Sequence, residues 1–297
     1  MPPIRGPAVP RRRLGAELRR LREQAGLLIE DVAETLECST SKISRLENGK
    51  GIPKIRDVRD MLARYGVTDS RLRERLLGWA RAGQQQGWWQ EFSDVMQQDA
   101  PGRLDTLLAL ETDASRSLAF QVSLVHGLLQ TEAYARAVIE TILPKLTAYD
   151  VDRLVQLRLR RQQVLYREEA PLELWHILDE AVLWRPIGGH HVLAEQLKRI
   201  LQDTTRPNIT VRILPFAAGV HQAVVGSFEI TEFTDKVDHD VVSVESLTGN
   251  TFLESDDDVI RYVHAFNDVT ECALGPAQSA DLIKAALARQ ELAISEN

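Results

Sequence analysis

Between Arg11 and Arg81 the apolar positions recur at helical spacing, in short runs broken by glycine. Leu14, Leu18 and Leu21 fall on one face of a first predicted helix. It stops at Gly26, a residue that takes the left-handed C′ conformation without a Cβ penalty. Val32, Ala33 and Leu36 predict a short second helix. Ser39 is placed to cap a third, with Ile43 and Leu46 on its inner face and Gly49 and Gly51 at its end. Val58, Met61, Leu62 and Tyr65 predict a fourth, closed by Gly66. Leu72, Leu76, Leu77 and Ala80 predict a fifth, with Asp69 or Ser70 as its cap. Residues 1–10 hold four prolines and read as a disordered arm. The polar run Gly83-Gln84-Gln85-Gln86-Gly87 sets a boundary between residues 11–83 and 84–297. Trp88 and Trp89 follow at once and predict a packed domain edge.

Beyond that break the period changes along the chain. Leu104 to Ser117, Leu128 to Leu143 and Val151 to Arg167 carry apolar residues at helical spacing. From Leu172 to Leu178 the apolar content is nearly continuous, as in a strand buried on both faces. Glu195 to Gln202 returns to helix. Ile209, Val211 and Ile213 mark a second strand, and Phe228, Ile230 and Glu232 a third. Val241–Leu247 and Thr251–Leu253 predict two more, joined by a Gly249-Asn250 turn. Asp256 to Asn267 and Pro276 to Ala293 close the chain as helices. The expected class is α+β: an all-α five-helix N-terminal domain, then a larger mixed α/β domain with about five strands.

Composition adds little except through charge. A hydrophobic content of 44% supports a sizeable core. No apolar run reaches the roughly 18 residues of a membrane span, and MPPIRGPAVP is not an apolar signal segment. A cytoplasmic protein is expected, with Cys38 and Cys272 reduced and small. Residues 1–83 carry 18 Lys and Arg against 11 Asp and Glu, whereas residues 84–297 carry 18 against 32. The basic part is the one fitted to approach a polyphosphate.

The segment Leu28 to Lys50 holds the candidate chemistry. Two short helices join at a tight turn around Glu37-Cys38-Ser39, with Ala33 small at their crossing. Val32, Leu36, Ile43 and Leu46 form a shared core, which leaves Thr40, Ser41, Lys42, Ser44 and Arg45 facing outward. The N-terminal residues of such a helix reach base edges in a major groove. Arg45 suits bidentate contact with guanine, worth about 1–3 kcal/mol of discrimination. Lys42 and Lys50 are long enough for phosphates, and Arg11, Arg12, Arg13, Lys54 and Arg56 are further phosphate candidates.

Residues 11–83 resemble the XRE-type, phage-repressor-like helix-turn-helix family. The matching residues are Leu18-Arg19-Arg20-Leu21-Arg22, Ala25-Gly26-Leu27, Val32-Ala33, Ser41-Lys42-Ile43-Ser44 and Glu47-Asn48-Gly49-Lys50. The resemblance implies that Arg22 pairs with Glu47 and so holds the recognition helix. It also implies that Asn48, Gly49 and Lys50 place donors on a phosphate. The sequence departs from the family at Leu28-Ile29, where a polar residue and glutamine often meet the DNA backbone; those contacts do not carry over.

Residues 84–297 are similar to the regulatory domain of a large actinobacterial regulator family, catalogued as a domain of unknown function and described as antitoxin-like. The resemblance rests on Gly87-Trp88-Trp89, the run Val125 to Ala135, Leu178-Asp179-Glu180-Ala181, Arg185 to Gly189, Arg206 to Val211 and Leu214 to Gly219. It implies regulation of development or specialised metabolism, often beside a small partner protein encoded nearby. Trp88, Trp89, Asp179, Glu180, Arg185, His190 and His221 are candidates to surround a ligand or partner pocket.

No GxSxG, P-loop or HExxH is present. His176, Asp179 and Glu180 form an acid/base group without a nucleophile, and His190-His191 in a loop is a weak metal hint. Asp256-Asp257-Asp258 reads as the N-terminus of a helix. A non-enzyme with no metal and no cofactor is expected. The reading is a sequence-specific transcriptional regulator, nucleoid-associated when bound to a palindromic operator as a homodimer. Its second domain would sense a small molecule or a partner protein. The alternative is an antitoxin-like interaction protein that sequesters a small partner and binds DNA for autoregulation.

Overall fold

A computed structural model of the protein describes residues 7–85, 87–96, 104–234, 240–246 and 249–296. Residues 1–6 of the expected arm, Gln86 of the polar break and Leu247 of the expected fourth strand lie outside the described residues. The fold is α+β, a helical region followed by a six-stranded mixed sheet with helices. Contacts divide it into two compact units, with the break between Gln90 and Glu91.

The first unit contains α1 (Ala8–Gln24), α2 (Ile29–Thr35), α3 (Thr40–Glu47), α4 (Ile55–Arg64) and α5 (Ser70–Gly83). Residues 8–10 are helical, which corrects the disordered reading of that stretch. Pro7 and Pro10 lie at the helix start, where a missing N–H costs nothing. Leu14, Leu18, Val32, Ile43, Val58, Met61, Leu62 and Leu76 are fully buried in one core. Ser39 caps α3 by accepting from the Lys42 N–H, and Asp69 caps α5 by accepting from those of Arg71 and Leu72. Helix α1 approaches the end of α3 at Gly15. A Cβ there would lie 2.5 Å from the Glu47 carbonyl oxygen and 2.6 Å from that of Leu46. Gly15→Ala is therefore expected to cost about 1–3 kcal/mol by overpacking. An unchanged urea midpoint would show that the two helices have room to spare.

A 3₁₀ turn, Trp88–Phe92, precedes α6 (Ser93–Met96) and α7 (Leu104–Asp113). The sheet then begins with β1 (Arg116–Gln121). Next come α8 (Glu132–Ile142), α9 (Ala148–Arg161), β2 (Glu173–Asp179), α10 (Ala181–Trp184), α11 (His190–Asp203) and β3 (Ile209–Leu214). The remainder is β4 (Phe228–Glu232), β5 (Val241–Ser246), β6 (Gly249–Leu253), α12 (Asp256–Cys272) and α13 (Pro276–Ser295). Strand order is β3-β2-β1-β4-β5-β6. The first three strands are parallel and the last three add antiparallel. One apolar core joins β2 and β3 to α8, α11 and α13, and a second lies between the opposite face and α12.

Four expectations are corrected here. The helix expected over Leu104 to Ser117 ends at Asp113, and Ser117 belongs to β1, a strand beyond the five expected. Arg116 to Gln121 follows the helix without glycine or proline, and small Ser117 and Ala119 hide its alternation. The helix expected from Val151 to Arg167 ends at Arg161 and tightens into a 3₁₀ turn, Gln162–Tyr166. Gly249 and Asn250 are not a turn but the first residues of β6, paired with Ser246 and Glu245. His190 and His191 open α11 instead of lying in a loop, and His190 Nδ1 is 2.6 Å from Gln290 Oε1.

Candidate functional site

Amphipathic α3 buries Ile43, Leu46 and Glu47 and turns its other face outward. Thr40, Ser41, Arg45, Asn48 and Lys50 are exposed, and Ser44 is half-exposed with its hydroxyl 3.4 Å from the Asn48 amide. Arg45 thus projects from the surface on which a recognition helix meets base edges. Lys54 is exposed just before α4. Lys42 and the arginine cluster are also held by contacts within the protein. Lys42 Nζ lies 2.6 Å from Asp57 Oδ2 in the first turn of α4, so this ammonium ties α3 to α4. Arg11, Arg12 and Arg13 belong to α1 and are half-buried, and Arg11 donates to the Gly83 carbonyl at 2.6 Å.

The orientation of α3 is fixed from inside. Arg22 on α1 donates to both carboxylate oxygens of Glu47, at 2.7 and 3.0 Å, and to the Leu27 carbonyl at 2.9 Å. Both side chains are buried, and burial together with the Glu47 charge pushes the nearby Tyr65 phenol up. Gly49 follows with a φ of +67°, and a Cβ on it would press on the backbone of Arg12 at 2.9 Å. The Asn48-Gly49-Lys50 corner therefore requires glycine twice over, for its backbone angle and for α1.

In the second unit the residues expected around one pocket do not converge. Asp179 accepts from the Ala181 N–H and starts α10. Glu180 accepts from the Phe216 N–H and from Trp184 Nε1, which pins a loop. Arg185 is exposed. His221 packs edge-on against Phe120, on the face that α12 covers, with its Nδ1 buried and without a partner among the described residues. Trp88 and Trp89 pack edge to face at 5.9 Å, and contacts assign both to the first unit.

What the sheet does bring together is a buried polar cluster that the sequence left scattered. Strand pairing places Ser117, His176, Glu229 and Ser243 on one face. Ser117 Oγ donates to Glu229 at 2.5 Å and lies 2.9 Å from His176 Nε2. His126, in the loop after β1, stacks edge-on with His176 at 4.5 Å and places Nε2 3.5 Å from Glu229 Oε2. From the helical side, Arg161 at the end of α9 makes a bidentate pair with Glu111 on α7, both bonds 2.6 Å. Gly127 gives that guanidinium room; a Cβ there would stand 3.2 Å from an Arg161 nitrogen.

Burial disfavours the Arg161 charge, but the Glu111 carboxylate raises its pKa. Burial and the neighbouring His126 lower His176 well below the usual histidine value, so its ring is neutral. For Glu229, burial opposes ionisation, yet the neighbouring His126, with His176 and Ser117 behind it, holds its pKa at about 2. Folding therefore gains from ionised Glu229 fully above the ordinary 4.5, and the gain is lost as pH falls toward 2. Glu229→Gln is expected to flatten this acid limb of an unfolding profile. An unchanged limb would place the acid sensitivity elsewhere.

The cluster is not arranged for nucleophilic catalysis. The acid that would orient a catalytic histidine bonds its Nδ1. Here Glu229 takes the serine proton, and His176 Nδ1 has no partner among the described residues. His176 and Asp179 are three residues apart on β2, so strand alternation separates the acid/base group expected from the sequence. Donor atoms of Glu111, His126 and Glu229 lie within 4.8 Å of one another, a spacing a metal ion would accept. Two features disfavour one. Arg161 occupies both oxygens of Glu111. His126 Nδ1 accepts from the Leu128 N–H, which leaves the proton on Nε2, the atom that faces Glu229.

Comparison with known families gives two matches. A family model described as a domain of unknown function (DUF5753) matches residues 104–285. One described as a helix-turn-helix domain matches residues 13–76, a span that includes α2 to α4 and parts of α1 and α5. No curated protein and no solved structure matches the chain. Among the described residues, no helix is long and apolar enough to cross a membrane.

Proposed function

The chain belongs to the family of the domain of unknown function DUF5753 and is a DNA-binding regulator by its helix-turn-helix domain, and on that premise we propose that it is a sequence-specific transcriptional regulator. The observation that carries the reading is α3 itself. Its inner side is locked by Arg22–Glu47, while Thr40, Ser41, Arg45 and Asn48 stand outward on the helix that such a domain inserts in the major groove. Arg45 reads a base edge; Lys50 and Lys54 hold phosphates. The protein acts as a homodimer of the XRE type in the cytoplasm, on half-sites about 34 Å apart. The second unit is a sensor and not an enzyme. The separation of basic and acidic halves supports this division, because only residues 1–83 carry net positive charge.

Operator affinity is expected to fall steeply with salt, since each neutralised phosphate releases counterions. A logarithmic slope near zero between low and physiological salt would reject phosphate contact as the source of affinity. A footprint lost on adding a small protein encoded nearby, with no small molecule required, would favour the antitoxin-like alternative.

A further inference from the structure

Between α8 and the face of the sheet that carries Glu229 is a cavity of about 120 Å³. One water needs about 10–15 Å³ of such space, so the cavity suits a ligand of about ten heavy atoms or fewer. Strand alternation puts Gln121, Glu229 and Ser243 on one face, and all three line it. Val138, Ile139 and Ile142 of α8 form an apolar wall. Formal charge in the lining balances, with Arg158 and Arg161 against Glu229 and Glu245. Each of these groups is engaged or hydrated. Arg161 binds Glu111, Arg158 donates to Gln130 Oε1, Glu229 takes the Ser117 hydroxyl beside His126, and Glu245 is exposed. The open hydrogen-bonding groups are neutral. Ser243 is only 8% exposed, yet its hydroxyl has no partner among the described residues, and neither does the Gln121 amide. A buried hydroxyl left unpaired is costly, and a wall of valine and isoleucine offers water nothing to bond.

We propose that this cavity binds a small uncharged molecule, its hydrogen-bonding head on Ser243 and Gln121 and its short apolar body against α8. The proposal rests on the sensor reading of the second unit and names the chemistry sensed. An ion of either sign would leave its hydration shell for a lining in which both charges are present and already matched.

The probes are three isosteres, 3-methylbutanamide, the 3-methylbutanoate anion and the 3-methylbutanamidinium cation, titrated into the full chain with ligand-observed NMR. They share an apolar body and a planar head and differ in charge. The amide is expected to bind at least about tenfold more tightly than either ion. Ser243→Ala should weaken amide binding about fivefold, the size of one neutral hydrogen bond. It removes a hydroxyl on which no hydrogen bond among the described residues depends, so the fold tolerates the change. Ser243→Leu fills the space and should abolish binding. An ion that binds as tightly as the amide, no amide binding at millimolar concentration, or amide binding unchanged in either variant would each overturn the proposal. Amide binding that leaves DNA affinity unchanged would keep the site and reject the sensor reading.

Discussion

Glu47→Ala will destabilise the N-terminal unit by about 3–5 kcal/mol, the cost of leaving one half of a buried ion pair. The carboxylate it removes accepts two bonds from Arg22, and the two side chains are only 3% and 9% exposed. After truncation the guanidinium keeps its bond to the Leu27 carbonyl and the half-exposed Glu23 carboxylate at 3.6 Å, and loses its buried counter-charge. The comparison that isolates the cause is the double variant Arg22→Met/Glu47→Ala. Replacing both partners with apolar groups removes the orphaned charge, so much of the loss should return. Native-state hydrogen exchange would localise the effect to residues 11–83. A Glu47→Ala variant as stable as the parent would mean that α3 is held by its apolar contacts alone.

Arg161→Ala will have an effect of the same size in the other unit, about 3–5 kcal/mol. It strands Glu111 and takes a buried guanidinium from the surroundings of Glu229. Denaturation is not two-state in a chain with two units, so a single midpoint would mislead. Hydrogen exchange should show lost protection in β1, α7 and the end of α9, with α1 to α5 unchanged. Glu111→Gln is expected to cost less, because an amide keeps one acceptor for Arg161. If the two variants are equally mild, the pair contributes geometry more than stability.

The five N-terminal helices were legible in the sequence because each carries its own punctuation. Leucines recur at helical spacing, Ser39 and Asp69 cap, and Gly26, Gly49 and Gly66 take positive φ at the ends. The outward face of α3 followed from the same pattern. Two things about it did not. Nothing in the period of Lys42 shows that Asp57, fifteen residues on, will claim its ammonium. Nor does Gly15 announce itself, since its role depends on α1 meeting the end of α3.

The second unit was harder for a physical reason. Glu111 lies in the apolar run of α7, Glu229 in the alternation of β4, and Arg161 on a helix rich in arginine, so each reads locally as a surface residue. Glu229 reaches its neighbours through the pairing of β1 with β2 and β4, and Glu111 meets Arg161 through the packing of α7 and α9. Missing β1 meant missing the strand that brings Ser117 between His176 and Glu229. Asp179 and His221 stood out in the sequence because they lie near the ends of predicted strands; one accepts from the Ala181 N–H at the start of α10 and the other packs on Phe120.

The most direct test of the central claim is selection of random-sequence duplex DNA by the full-length protein and, in parallel, by Arg45→Ala. The parent chain should enrich one palindromic motif with half-sites about 34 Å apart. Arg45→Ala should lose preference at one position of each half-site, by about 1–3 kcal/mol, while its salt dependence is kept. No enriched motif from the parent chain, or an identical motif from both proteins, would contradict a regulator that reads sequence through α3.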